Sequence, residues 1–250
     1  MTQHAEMLQL LPRARALAHA PVSGFRVGAV VEGGSGQLYL GANIELPGLP
    51  LGQTVHAEQA ALANAFMAGE RSVMSIAVTA APCGHCRQFL QEFSADGGVR
   101  VLVQGSRAMP LAALLPHAFG PQDLRRKRGA LGNRPKRLTL VEPSADALVL
   151  AALRAAERSY APFSKAHSGV ALQLKDRAIM AGSYIENAAF NPSLPPAQTA
   201  LAVLCSLGYR PEQVVRAALV EIEWASIRQQ ASTQAALHGV ALVTALASAS

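Results

Sequence analysis

Apolar positions change period several times along this chain, and the changes mark a run of alternating helices and strands. Met7, Leu8, Leu10, Leu11, Ala14, Leu17 and Ala18 recur near 3.6 residues, which predicts an N-terminal helix with Pro12 as a kink or restart. Ala20-Pro21-Val22-Ser23-Gly24 breaks that pattern. Two runs, 25–32 and 37–43, then read as strands joined by Gly33-Gly34-Ser35-Gly36 as a hairpin turn. Gly48, Pro50 and Gly52 mark a loop, after which Thr54 is placed to cap a helix with Ala60, Leu62, Ala63, Phe66 and Met67 as its apolar residues and Gly69 at its C′ end. A buried strand is expected over 74–79, a helix opened by Pro82 with Phe89, Leu90 and Phe93 inward, a strand over 99–103, and short and long helices over 111–115 and 146–158.

The pattern repeats. A shift of 141 positions lays Ala20-Pro21-x-Ser23 on Ala161-Pro162-x-Ser164, Gly28 on Gly169, Gly41 on Gly182, Ile44 on Ile185 and Glu45 on Glu186, without a gap. A constant offset across so many positions indicates duplication of one domain. The expected division is a first domain over 1–120, a basic connector over 121–140 and a second domain over 141–250. The closing ALVTALASAS is alanine-rich and carries no clear signal.

Composition narrows the class. Half of the 250 residues are hydrophobic and 15% are charged, which excludes a disordered chain. No apolar run reaches the roughly 18 residues of a membrane span, and MTQHAEMLQL lacks the basic-then-apolar form of a signal region, so a soluble cytoplasmic protein without membrane contact is expected. The net charge of +6 raises the question of nucleic acid. Much of it sits in Arg125-Arg126-Lys127-Arg128 with Arg134, Lys136 and Arg137, between Gly and Pro residues, and reads as a solvated connector. Three cysteines, two of them in one C-x-x-C, do not make a disulfide framework.

Chemistry concentrates between Thr54 and Glu92. His56-Ala57-Glu58 is followed, 25 positions after Glu58, by Cys83-Gly84-His85-Cys86 with Pro82 in front. One histidine and two cysteines offer three zinc ligands and leave the fourth tetrahedral position for water, as a catalytic site requires. Glu58 stands two residues from His56, off its helical face, so it serves better as a proton carrier than as a ligand. Cys83 and Cys86, three apart at a helix start, share a face, and the helix N-terminus favours thiolate. Two thiolates and a neutral imidazole cancel the ion's charge, so bound water is acidified less than in a three-histidine site and a nearby carboxylate becomes necessary. Against a structural knuckle stands the lack of a fourth ligand, since His85 points elsewhere in a helical turn. Against a redox pair stand His56 and Glu58. An earlier His4-Ala5-Glu6 has no cysteines at the required distance and reads as surface, and Cys205 reads as a buried apolar residue.

H-x-E followed by P-C-x-x-C is the signature of zinc-dependent nucleobase deaminases. Together with SGFRVGA, GANIE, QTVHAEQ, PCGHCRQF, AFGPQDL, SGVAL and ENAAFNPSLPP, the chain resembles the cytidine deaminases of the two-domain, homodimeric bacterial type over nearly its whole length. The resemblance implies an α/β fold, a three-layer α/β/α sandwich duplicated in one chain. It implies hydrolysis of cytidine and 2′-deoxycytidine to the uridines with release of ammonia, one zinc per chain on His56, Cys83 and Cys86, and Glu58 as proton donor and acceptor. It implies substrate contacts at Phe25, Asn43, Ile44, Glu45 and Ala57, with Asn43 and Glu45 on the ribose 3′-hydroxyl, and a homodimer in which the segment around Ala189-Phe190-Asn191-Pro192 is a candidate for completing a neighbour's site. A carboxylate on the 3′-hydroxyl disfavours a nucleic-acid substrate, which the zinc motif alone would allow. A non-catalytic scaffold is the third reading. Under the constant offset His56 falls on Ala197, Glu58 on Thr199, Cys83 on Trp224 and Cys86 on Ile227, so the second copy is expected to be silent.

Overall fold

The computed structural model describes residues 3–94, 98–126 and 129–249. The chain forms two compact units, residues 1–132 with 187–193, and residues 133–186 with 194–250. Lys127 and Arg128 of the basic run lie outside the described residues.

In the first unit, α1 (Gln3–Ala16) leads into β1 (Gly28–Gly33) and β2 (Leu38–Ala42), followed by α2 (Ala57–Ala68), β3 (Val73–Val78), α3 (Gly84–Gln91), β4 (Arg100–Val103), β5 (Met109–Pro110) and α4 (Leu111–Leu114). The sheet runs β2-β1-β3-β4-β5, with only the β3–β4 pair parallel. Met7, Leu11 and Ala14 of α1 pack with Val30, Ala77 and Leu102 on one face. On the other lies α2, buried from Ala57 to Phe66, as a helix without a polar face must be. Its approach is close. A Cβ on Gly41 would stand 2.2 Å from the Ala61 nitrogen, so only glycine lets β2 meet α2 backbone to backbone.

Three expected boundaries move, each for a local reason. The first strand begins at Gly28 and not at residue 25, because the side chain of Asn43 intercepts the preceding backbone: Val27 N–H donates to Asn43 Oδ1 at 2.8 Å and Asn43 Nδ2 donates to the Phe25 carbonyl at 2.9 Å. The cap of α2 is His56 and not Thr54, which instead closes a 3-10 turn over Leu51–Gln53. The cap of α3 is Cys83, so Pro82 lies outside the helix rather than at its first position. Gly69 ends α2 with φ of 90°, as expected.

The second unit contains β6 (Leu138–Leu140), α5 (Ala147–Arg158), β7 (Ser168–Leu174), β8 (Ile179–Ser183), α6 (Pro196–Ser206), β9 (Val214–Ile222), α7 (Gln230–Ala236) and β10 (Ala241–Ala249). Its sheet runs β8-β7-β9-β10-β6 and repeats the first over four strands, with β10 parallel to β9 as β4 is to β3. The fifth position differs, since β6 precedes α5 whereas β5 follows β4. The alanine-rich end is therefore an interior strand of this sheet, lying between β9 and β6. Asp146 caps α5 by accepting the Leu148 N–H at 2.9 Å and pairs with Arg216 on β9.

The duplication is real in topology, but its offset is not constant. The strands hold 141: Ala29 faces Val78 in β1–β3, and Val170 faces Leu219 in β7–β9. The loop before the second helix is two residues shorter in the second unit. Ile44 bridges Val55 in the first, whereas Ile185 bridges Leu194 in the second. His56 is thus matched by Pro195, whose carbonyl receives the Thr199 N–H as His56 receives that of Ala60. Glu58 is matched by Ala197 instead of Thr199. After β9 the chain runs on through exposed Trp224 and Ile227 before α7 opens, so the helix caps pair Cys83 with Gln229, and Cys86 with Ser232. The second unit still carries none of the metal donors.

Candidate metal and substrate site

Two helix openings meet in the first unit. His56 stands in extended backbone at the start of α2, Cys83 does the same at the start of α3, and Cys86 follows in the first turn. Their ligand atoms all lie within 4.8 Å of one another. His56 Nδ1 is 3.5 Å from Cys83 Sγ and 3.3 Å from Cys86 Sγ. Donors at 2.0–2.3 Å from one ion in a tetrahedron are about 3.5 Å apart, so this donor set fits zinc in separation as well as in chemistry. Among the described residues no other group of three or more His, Cys, Asp or Glu converges in this way.

The electrostatics favour a thiolate here. Cys83 accepts from the Cys86 thiol and, against some burial, is further stabilised by the N–H groups of Cys86 and His85 and by His56, which bring its pKa down to about 4. Cys86 moves the opposite way, because its proton is shared with Cys83 and it is buried near Glu58. Glu58, in the first turn of α2 and 6% exposed, has its pKa raised by burial, with its own N–H and His56 acting the other way.

Beside this group is a cleft of about 280 Å³, whose lining includes Phe25, Asn43 and Glu45 together with His56, Ala57, Glu58 and Cys83. Eight of the nine residues singled out from the sequence belong to the cleft or the donor set. Ile44 does not line it: its side chain is fully buried and its backbone pairs with Val55. Ser23, Val27, Thr54, Ala80 and Ala81 also line the cleft, and no catalytic or binding motif singles them out.

Asn43 and Glu45 both fasten the loop before β1. Glu45 accepts the N–H groups of Val22 and Ser23 at 2.7 and 3.0 Å and the Ser23 hydroxyl. Glu186 does the same with Phe163 and Ser164 in the unit that lacks the donors, so this grip belongs to the architecture first. Asn43, whose counterpart is Tyr184, is the member of the pair peculiar to the donor-bearing unit. Together they hold Phe25 at the cleft, where the residue is 63% exposed.

Gln59 carries a role that the motifs do not announce. Its Oε1 accepts the His56 N–H at 3.2 Å, and its Nε2 lies 3.1 Å from His85 Nε2. The available signal is its place three residues after the cap, where a glutamine can reach back to the cap nitrogen. His85 is not among the converging donors; burial first, then His56, lowers its pKa.

A Cys₂His donor set beside a buried carboxyl and a small cleft defines a hydrolytic metal site. Two sequence-family models described as the cytidine and deoxycytidylate deaminase zinc-binding region match the chain, over residues 1–101 and 111–234. The cytidine deaminase of Vibrio atlanticus (strain LGP32) is 46% identical over 233 residues, 93% of this chain and 78% of the relative. That of Shewanella loihica (strain ATCC BAA-1088 / PV-4) is 42% identical over 243 residues, 97% of this chain and 81% of the relative. A Vibrio cholerae cytidine deaminase (serotype O1, strain ATCC 39541) is 46% identical over 229 residues, 92% and 77%. The chain belongs to the cytidine and deoxycytidylate deaminase family. No helix among the described residues is long and apolar enough to cross a membrane.

Proposed function

We propose that this chain is a zinc-dependent hydrolase that deaminates cytidine and 2′-deoxycytidine to uridine and 2′-deoxyuridine. The observation that carries the reading is the convergence of His56 Nδ1, Cys83 Sγ and Cys86 Sγ beside the buried carboxyl of Glu58, at the wall of a cleft sized for a small molecule. His56, Cys83 and Cys86 would hold one zinc per chain. When bound, zinc supplies Lewis-acid activation of water.

The remaining steps fall to the chain. Glu58 takes one proton of the attacking water and delivers it to the pyrimidine ring nitrogen, then carries the second, from the hydroxyl now on the ring carbon, to the departing amino group. Water adds at the ring carbon, the carbon–nitrogen bond to the amino group breaks, and ammonia leaves. Phe25 offers its ring to the base. Asn43 and Glu45 present an amide and a carboxylate to the sugar 3′-hydroxyl, where a phosphate would meet the negative charge of Glu45. Ala57, between His56 and Glu58 in sequence, lines the cleft, and Ile44, which does not line it, pairs its backbone with Val55 just before His56.

The catalytic domain is read as 1–120, the connector as 121–140 and the domain without donors as 141–250, in a homodimer working in the cytoplasm. Metal analysis of the purified protein, followed by parallel assays with cytidine and a cytosine-bearing single-stranded oligonucleotide, tests the reading. Stoichiometric zinc and turnover of the nucleoside are expected. Turnover of the oligonucleotide alone, or no turnover by zinc-loaded protein, would sink it.

A further inference from the structure

We propose that residues 187–193 are a positioning element for the metal-binding helix α3, with Asn187 and Glu92 as its anchor points. This rests on the zinc reading above. Although they lie far downstream in sequence, these residues are part of the first compact unit.

With eight residues, α3 is too short to hold its own orientation and begins at Gly84, so its geometry must come from its surroundings. Its opening carries Cys83 and Cys86. Its far end is where the segment takes hold. The Glu92 N–H bonds to Phe89, which leaves the Gln88 carbonyl among those a helix end cannot satisfy itself. Asn187 Nδ2 donates to that carbonyl at 3.0 Å, and the Ala188 N–H donates to Glu92 Oε2 at 2.8 Å. Asn187 and Glu92 are 0% and 1% exposed, so these bonds are shielded from water. The segment is itself closed, by Asn187 N–H to Ser193 Oγ at 2.9 Å and Ala189 N–H to Asn187 Oδ1 at 3.0 Å. The Pro192 carbonyl lies 3.5 Å from Gln59 Nε2, and Gln59 holds the backbone of His56. One seven-residue segment thus reaches both helices that carry the donors.

The duplicated scaffold does not require these groups. At the strand offset, the first-unit counterparts of Asn187 and Ala188 are Leu46 and Pro47, an apolar side chain and a residue with no N–H. The anchor is an addition found only where it meets α3.

The test is release of zinc from the native full-length protein to a chromophoric chelator, well below the unfolding temperature. Loss of residues that orient metal ligands weakens metal binding about tenfold or more, so Asn187→Ala and Glu92→Ala are expected to release zinc about tenfold faster than the parent. Glu92→Gln keeps an acceptor for the Ala188 N–H and is expected to behave as the parent does. Ser183→Ala, which removes the buried bond from Ser183 Oγ to the Ala155 carbonyl at 2.7 Å in the second unit, should lower thermal stability without speeding release. In the cobalt-substituted protein, the thiolate-to-metal absorption should shift in Asn187→Ala but not in Ser183→Ala. If Asn187→Ala fails to accumulate, Asn187→Asp, which keeps the side-chain shape but replaces the donor to Gln88 with an acceptor, carries the same expectation. Unchanged release in the anchor variants, or equal acceleration by Ser183→Ala, overturns the positioning role alone. A parent protein that takes up no zinc overturns the functional reading and this inference together.

Discussion

His56 Nδ1 lies 3.3 Å from Cys86 Sγ, although one residue caps α2 and the other sits in the first turn of α3. Two helix openings set at the edge length of a zinc tetrahedron leave little tolerance for losing a donor. His56→Ala and Cys86→Ala are each expected to purify without stoichiometric zinc and to lose essentially all turnover, while far-ultraviolet circular dichroism stays close to that of the parent. Metal analysis by mass spectrometry checks this. Zinc retained at full occupancy in either variant would contradict the ligand assignment.

Glu58 separates proton transfer from metal binding. Glu58→Gln keeps its shape and loses its basicity, so kcat is expected to fall by about 10²–10⁴-fold with zinc content unchanged. Burial raises the Glu58 pKa in the metal-free site, and a nearby divalent cation stabilises the carboxylate. Isotope-edited infrared spectra should therefore show the carboxyl protonated at a higher pH without zinc than with it. An unchanged titration on zinc loading would place Glu58 away from the ion.

Much of the site is legible in the sequence because its chemistry lies in local spacing. His56, Glu58, Cys83 and Cys86 stand in two short motifs at helix starts, whereas Asn43 and Glu45 are singled out only by the family resemblance. The architectural service of Asn43 and Glu45 is not legible, because it depends on backbone N–H groups some 20 residues away in sequence that no residue pattern reveals. Nor is the strand Ala241–Ala249, whose alanines have weak strand preference and are ordered by β9 and β6 on either side. A constant offset leads to a second unit without donors, which is correct, but it pairs the donors with the wrong residues. Strand registers are fixed by pairing on both sides, while the loop before α6 and the run before α7 are free to change length, and only coordinates locate those changes.

Gly182 and Gly41 occupy the same place in the two units, which makes them a matched pair. A Cβ on Gly182 would stand 2.1 Å from the Ala200 nitrogen, and one on Gly41 would stand 2.2 Å from the Ala61 nitrogen. Both obstacles are helix backbone, so the helix must shift, at a cost of about 1–3 kcal/mol or more. Each kcal/mol is worth about 2–4 °C in a chain of this size. Both Gly→Ala variants should melt lower by calorimetry. Only Gly41→Ala displaces α2, with His56 and Glu58 at its start, so only that variant should also lose kcat and zinc affinity at 25 °C. Equal loss of zinc affinity in Gly182→Ala would show the two units are not separable in this way.

The grip of Glu45 on the loop before β1 predicts an acid sensitivity of defined sign. Burial raises the Glu45 pKa, but the hydroxyl and N–H of Ser23 and the N–H of Val22 outweigh it and hold the folded value below the ordinary 4.5. A carboxylate whose pKa falls on folding stabilises the fold fully above its unfolded value, and that contribution disappears as pH drops through the folded one. Glu45→Gln cannot ionise and should melt below the parent at neutral pH, with the gap closing as pH falls beneath about 4.5. Ser23→Ala removes the hydroxyl and should produce a smaller gap that closes over the same range. Because the same bonds hold Phe25 at the cleft, KM for cytidine should rise in both variants at neutral pH, more in Glu45→Gln. Melting curves across pH 3–7 with parallel kinetics provide the check; a gap that widens in acid would reverse the assigned sign.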